Sequence, residues 1–413
     1  MNSRMSACGT ELGLMTVDQA LDAILEKTQA LATEMLGLDQ VLNRYLAENI
    51  YAQINLPLFS QSAVDGYALC APSTIEPNSR FELVGEIQAG HGSELQLTAG
   101  QAVRIFTGAK IPIGTTTVAR QEIVKIIDFS AIEITENLKD YADIREVGEE
   151  LTAGELLASQ GQQLSVGAVA CLSMAGVQTV EVFKYPKVAV VITGDEVATS
   201  VADFTAGKIF DANAPLIQAW FKNKGQHVEI FHVADTEEAV QALIQTLSAH
   251  CDLILTTGGV SVGDYDFIRP VSLKLGFEQI FWKVKQKPGK PIFFAALETE
   301  DHSACYLLGL PGNPAAVYMG MQIYTSTLLH ALQGQKQPPN WFSAVLRHDL
   351  KIDARERFLR MSASFEQSVL KVRSLSKQQS HMLSNLMQAN CLVRIPAGKS
   401  MLEGQIVHGV FID

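Results

Sequence analysis

LILTTGGVSVGDYD, Leu253 to Asp266, is the stretch that decides the fold. It opens on an apolar run and continues into a loop that sets Gly258, Gly259 and Gly263 among small hydroxyl residues and two carboxylates. A strand apolar at successive positions is covered on both faces, as in a parallel sheet flanked by helices. Ligands of such sheets sit outside the carboxyl ends of the strands, where this loop begins. The paired glycines permit positive φ and remove side chains where a ligand would touch backbone amides. Asp264 and Asp266 have the spacing of hard oxygen ligands for a divalent cation. The loop alone implies a ligand site without naming the ligand.

Neighbouring segments repeat this grammar. KVAVVI (187–192) predicts a second buried strand, ending in Thr193, Gly194, Asp195 and Glu196. Asn213 is placed as the cap of a helix carrying Leu216, Ile217, Trp220 and Phe221, with Gly225 as its stop. HVEIFHV (227–233) is the next strand, and Asp235 with Glu238 is placed as the cap of a helix presenting Val240, Ile244 and Leu247. Strands alternating with helices wind a parallel sheet with right-handed crossovers. TGDE (193–196) and TTGGVSVGDYD (256–266) should therefore line one crevice.

Downstream, KVKQKPGKP holds Lys283, Lys285, Lys287 and Lys290 around Pro288-Gly289. Four cations on a stiff turn read either as an anion site or as a solvated hairpin tip. LPGNP (310–314) follows two more strands; Asn313 is placed as the cap, and Pro314 in the first turn, of a helix aligning Val317, Met321, Tyr324 and Leu328. A helix N-terminus beside the lysines favours the anion reading.

On the N-terminal side, Thr16 with Gln19 spells a capping box before an amphipathic helix, and Val41, Leu42, Tyr45 and Leu46 suggest a second amphipathic stretch. From there to about residue 150 short β-branched segments broken by Gly and Pro predict a small β-rich region, in which Asp65 reads first as a turn carboxylate. A helix over 167–175 and a strand over 179–183 lead into the α/β region. After QKQPPN (335–340), strands are expected near 341–349, 357–366, 369–374, 391–395 and 405–412. In this last region Arg360 and the run Gln378 to His381 are where donors cluster.

Composition narrows the function. The chain has 413 residues, 47% hydrophobic and 18% charged, which fits a globular protein of two to four domains at roughly 150 residues each. No apolar run reaches the ~18 residues of a membrane helix, and no secretory signal is read, so a cytoplasmic location is expected. Six scattered cysteines without a CxxC pair argue against a thiolate zinc site or a disulfide framework. A net charge of −12 disfavours nucleic acid as a partner.

SAVDGYA (62–68), RIFTGAKIP (104–112), TGDE (193–196), TTGGVSVGDYD (256–266), KQKPGKP (285–291) and LPGNP (310–314) together resemble the MoeA family of molybdopterin molybdenumtransferases, whose animal relative is the C-terminal part of gephyrin. The resemblance runs over nearly the whole chain. It implies a multidomain α/β protein: an N-terminal mixed domain in two stretches (13–55 plus 147–186), an inserted β-rich domain (56–146), a three-layer molybdopterin-binding α/β domain with a mostly parallel sheet (187–335) and a C-terminal β-barrel (336–413). The implied reaction inserts molybdate into adenylylated molybdopterin, with Mg²⁺ and release of AMP.

Position by position, the resemblance gives catalytic roles to Asp65, Thr107, Glu196, Asp235 and Asp266, and Mg²⁺ ligation to Asp264, Asp266 and Glu196. It assigns the pterin crevice to Thr193, Gly194, Asp195, Gly258, Gly259, Ser261, Lys283, Pro311, Gly312, Asn313 and Pro314. It assigns molybdate to Lys287, Lys290, Pro291, Arg360 and Ser380. It further implies a homodimer whose active site takes Asp65 from the partner, and a transient contact with the adenylyltransferase of the same pathway. The segment REVGEE (145–150) departs from the family's RRxGED, and Val64 stands where Met is usual. Alternative readings are the adenylyltransferase itself, against which Val260-Ser261-Val262-Gly263 and the extra domains count, and a gephyrin-like dimeric scaffold. Nothing in the sequence separates molybdate from tungstate.

Overall fold

The computed structural model describes residues 14–91, 94–198, 207–263, 266–298 and 304–412. They fall into two compact units, one drawn from Met1–Glu34, Asn43–Ala47 and Val182–Asp413, the other from Met35–Leu42 and Glu48–Glu181.

The larger unit is built on a six-stranded sheet in the order Glu229–Val233, Val188–Thr193, Leu253–Thr257, Cys305–Leu310, Phe293–Leu297, Glu278–Trp282. The first four strands are parallel; Phe293–Leu297 runs antiparallel between Cys305–Leu310 and the edge strand Glu278–Trp282, which again runs in the direction of the first four. Side chains alternate across a strand, and here both sides are covered. Val188, Val190 and Ile192 pack with Ile217, Phe221 and Leu328 on one face. Ala189 and Val191 pack with Val240, Ile244 and Val271 on the other. Two-sided cover is why KVAVVI and LILTT are apolar throughout.

The chain runs from Val188–Thr193 to the sheet edge at Glu229–Val233, then crosses back to Leu253–Thr257 on the other side. The sheet order reverses between Val188–Thr193 and Leu253–Thr257, and a crevice opens beyond their carboxyl ends at such a point. The TGDE and TTGG loops are the ones that follow these two strands.

The same unit carries a closed barrel of five strands, Glu356–Glu366, Val369–Ser374, Phe342–Leu346, Ile406–Phe411 and Cys391–Ile395, the last pairing back to the first. Leu346, Met361, Val372, Val393 and Ile395 fill it. The helix Val17–Lys27 opens on the capping box of Thr16 and Gln19. Arg394 of the barrel joins that helix through Asp18 at 2.7 and 2.8 Å.

The smaller unit centres on a six-stranded sheet ordered Thr117–Arg120, Gly66–Leu69, Gln101–Ile105, Arg80–Ile87, Ala131–Ile134, Val124–Asp128. Tyr67, Leu69, Ile132 and Ile134 are buried on one side, Ala68, Val103, Ile105 and Val118 on the other. The helix Val166–Met174 and the strand Leu156–Ala158 complete it.

Several local expectations change. The stretch at Val41–Leu46 is not a helix; a single 3₁₀ turn, Leu38–Gln40, precedes it, and Val41, Tyr45 and Leu46 are buried from irregular backbone. Apolar spacing was satisfied there by tertiary burial without helical hydrogen bonds. Asn213 is the first residue of the helix Asn213–Asn223 and not its cap; Asp211 accepts from the N–H groups of Asn213 and Ala214 at 2.8 and 3.0 Å. Thr236, not Asp235, caps Glu237–Ser248, accepting from the Ala239 N–H at 3.3 Å. Asn313 does stand at the cap position, but its side chain makes no capping bond. The helix after it continues from Pro314–Gly320 through a π-type turn, Met321–Thr325, into Ser326–Leu332.

Candidate functional site

A cleft of about 680 Å³ lies at the carboxyl ends of the central strands. Its lining includes Thr193, Gly194, Glu196, Asp235, Gly258, Gly259, Ser261, Asp266, Pro291, Pro311, Gly312, Asn313 and Pro314. Segments distant in sequence meet here because each follows a strand of the sheet, except Asp266 and Pro291, which end longer loops.

Each wall has a local cause. Gly258 and Gly259 have φ of +87° and +65°. A Cβ at Gly258 would lie 2.5 Å from Thr193 Oγ1, and one at Gly259 2.7 Å from Ile268 Cγ1. The expected positive φ is present at both glycines, and close packing within the protein demands them as well. The Gly258 N–H donates to Leu310 O at 3.0 Å, tying the TTGG loop to LPGNP.

Asp235 holds the TGDE turn. Its two carboxylate oxygens accept from the N–H groups of Gly194 (3.1 Å) and Asp195 (3.2 Å). Burial pushes its carboxyl above the usual carboxylate range; the charges of Asp195 and Glu196 push the same way, against the two N–H donors. Asp195 itself is turned back, its Oδ1 accepting from the Asp235 N–H at 3.4 Å. Asp266 closes its own loop, Oδ2 accepting from the Gly263 N–H at 2.6 Å. Asp264 lies outside the described residues.

The lysine turn is joined to the barrel. Gln286–Lys287 pairs in parallel with Glu356 and Arg357, and Lys287 Nζ stands 3.1 Å from Asp353 Oδ2. Lys283 lies over the Trp282 ring at 4.1 Å with φ of +72°. The Lys290 carbonyl accepts from the Val284 N–H at 2.9 Å. The N-terminus of the Pro314 helix is not an open anion site: the Ala315 N–H donates to Ser380 O, and those of Ala316 and Val317 to Asn313 O. This corrects the expectation built on a helix N-terminus beside the lysines, because the donors are already used. Arg360 is 3% exposed, and its guanidinium donates to the carbonyls of Met382, Lys377 (2.9 Å) and Gln379 (3.1 Å).

In the smaller unit, Asp65 and Thr107 form a pair. Asp65 Oδ1 accepts from both the Thr107 N–H and its hydroxyl, each at 2.8 Å. The backbone N–H and then the hydroxyl of Thr107 hold this exposed carboxyl below the usual carboxylate range.

Sequence reasoning missed Asp211, Phe210 and Leu383, which line the cleft, and placed His381, which also lines it, only in a donor-rich run. Asp211 Oδ2 also meets His232 Nε2 at 2.9 Å. Its signal was its place just ahead of the helix, where a short carboxylate caps as well as Asn does. His381 stood in a polar run whose approach to the sheet only the tertiary fold reveals.

Among the described residues, four carboxylates line the cleft: Glu196, Asp211, Asp235 and Asp266. No three of the described His, Cys, Asp and Glu residues gather as a ready metal cage. Mg²⁺ rarely needs one; it keeps waters and takes one or two carboxylates together with substrate phosphates. Glu196 and Asp266 fit that demand, since among the described residues the bond that closes the Asp266 loop uses only its Oδ2.

Residues 15–176 match a family model described as MoeA N-terminal region (domain I and II), 189–331 one described as probable molybdopterin binding domain, and 343–409 one described as MoeA C-terminal region (domain IV). The molybdopterin molybdenumtransferase of Haemophilus influenzae is 33% identical, covering 92% of this chain and 94% of its own. That of Bacillus subtilis is 30% identical, covering 92% and 90%. A solved MoeA protein of molybdopterin biosynthesis from Pyrococcus horikoshii superposes with a TM-score of 0.77 at 25% identity, covering 96% of this chain and 99% of that one.

Proposed function

The chain belongs to the molybdopterin molybdenumtransferase family of molybdenum cofactor biosynthesis, and from that premise we propose that it inserts molybdate into adenylylated molybdopterin in a Mg²⁺-dependent step that releases AMP. The observation that carries this reading is the acidic cleft, which Glu196 and Asp266 line together with the paired glycines Gly258 and Gly259. The substrates are anions, and a cleft lined by carboxylates binds a phosphoanhydride well only with a cation between them. Glu196 and Asp266 would hold Mg²⁺, with Asp264 adjacent in sequence; the ion would neutralise the phosphates and polarise the phosphorus.

The chain's own groups set the geometry. Asp235 fixes the backbone that presents Glu196. Thr193, Ser261 and the LPGNP turn are the groups offered to the pterin, and the lysine turn with Ser380 to the oxyanion. Asp65, kept ionised by Thr107, serves the site of a partner copy in a homodimer, working in the cytoplasm and receiving substrate from the adenylyltransferase of the pathway.

Reconstitution tests the reading. Purified protein, adenylylated molybdopterin and Mg²⁺ should release AMP only when molybdate is added, with a cofactor that activates an apo-molybdoenzyme. ATP consumption without molybdate would instead favour the adenylyltransferase.

A further inference from the structure

The expected molybdate ligands include Arg360, yet its guanidinium is spent on protein carbonyls. It is a barrel residue, 3% exposed, and the carbonyls it binds belong to Lys377, Gln379 and Met382. Other side chains hold the same loop: Gln378 donates to Arg360 O at 2.7 Å and Leu375 O at 2.9 Å, and buried Asn385 donates to Ser376 O at 2.7 Å. The loop is then docked on the cleft through the Ala315 N–H to Ser380 O bond of 3.0 Å. Its next residue, His381, lines the cleft with Leu383.

His381 is chemically unlike its surroundings. Among the described residues that line the cleft it alone has a ring able to carry positive charge, against the four carboxylates. A tetrahedral oxyanion entering such a cleft needs an N–H donor, and charge-assisted donors are the strong ones. An arginine whose donors already meet three carbonyls has few left to offer it.

We propose that His381 is an oxyanion-binding residue of this cleft and that Arg360 is a positioning residue, acting through the 375–383 loop that delivers His381. This rests on the transferase reading above. The shared ligand chemistry is a tetrahedral oxyanion, either molybdate or the phosphate of the adenylylated pterin.

Steady-state kinetics of the full chain test it. His381→Ala should raise KM about tenfold for one of the two substrates, the loss of a charge-assisted hydrogen bond, with kcat changed little; the substrate affected identifies the oxyanion. His381→Lys should recover part of that loss. Arg360→Lys keeps the charge but lacks the fork that spans three carbonyls, and should raise the same KM. The double variant His381→Ala/Arg360→Lys should be no worse than the poorer single one. Circular dichroism melts guard the buried Arg360 substitution against misfolding, and Asn385→Ala offers a second way to loosen the loop. An unchanged KM in His381→Ala overturns the proposal, as does an additive double variant. Absence of AMP release in the unmodified protein would instead defeat the transferase reading itself.

Discussion

Asp65 and Asp235 are both loop carboxylates that accept two hydrogen bonds, and they shift in opposite directions. Asp65 is exposed and gathers the N–H and hydroxyl of Thr107 on one oxygen, so its charged form is favoured. Asp235 is half-buried, spreads its oxygens over two amides of the TGDE turn and has Asp195 and Glu196 as neighbours. Burial and like charge there outweigh the donors. The same number of hydrogen bonds thus makes a poised charge in one unit and a structural clamp, held against its own electrostatics, in the other.

The largest expected break comes at the clamp. Asp235→Ala leaves the amides of Gly194 and Asp195 without their acceptors and lets Glu196 shift, so the rate of AMP release should fall on the order of 100-fold. Asp235→Asn keeps one acceptor and should recover part of the rate. Equal losses would mean that charge, and not turn geometry, is what Asp235 contributes.

A smaller break compares glycines in the two loops. Gly258→Ala combines positive φ with a Cβ 2.5 Å from Thr193 Oγ1, and should cost roughly 2–4 kcal/mol. Gly108, beside Thr107, has φ of +80° with open space around it, so Gly108→Ala should cost only about 1 kcal/mol. Thermal melts of the two variants measure the gap.

Acid sharpens the contrast. Asp65 has a lowered carboxyl, so its stabilisation is present above the ordinary carboxylate range and is lost as pH falls through its folded value. Asp235 has a raised one, so its ionised form weighs against folding at neutral pH, and protonation on mild acidification relieves this. Asp235→Asn should flatten the melting temperature at mildly acidic pH, and Asp65→Asn should flatten it below that. The smallest change is Thr107→Val, which removes the hydroxyl but keeps the N–H; an NMR titration should show the Asp65 carboxyl moving part of the way back up.

The layers of the fold were legible because alternation and continuous apolar runs report burial directly. KVAVVI and LILTT announce a sheet covered on both faces, and the last five strands fall within a few residues of their predicted limits. Caps were misread where neighbours compete: Asp211 won over Asn213, whose side chain donates to Gly312 O at 2.9 Å, and Thr236 over Asp235, which holds the TGDE amides. The 41–46 stretch shows that helical spacing without a stable first turn does not make a helix. At the cleft, the glycine and TGDE loops could be placed from the strands that precede them. The arrival of His381 and the commitment of Arg360 to carbonyls depend on how the barrel loop folds back, a contact across some 65 residues from Ala315 that no local pattern encodes.

On the proposed function, molybdenum enters the pterin in the cleft at the ends of Val188–Thr193 and Leu253–Thr257. The most direct measurement is the molybdenum content of the pterin product formed by Asp266→Ala and Glu196→Ala, set against AMP released by the unmodified protein. The expected result is one molybdenum per AMP in the unmodified protein and near-complete loss of both in the variants. Molybdenum incorporation at the unmodified rate in either variant would contradict it.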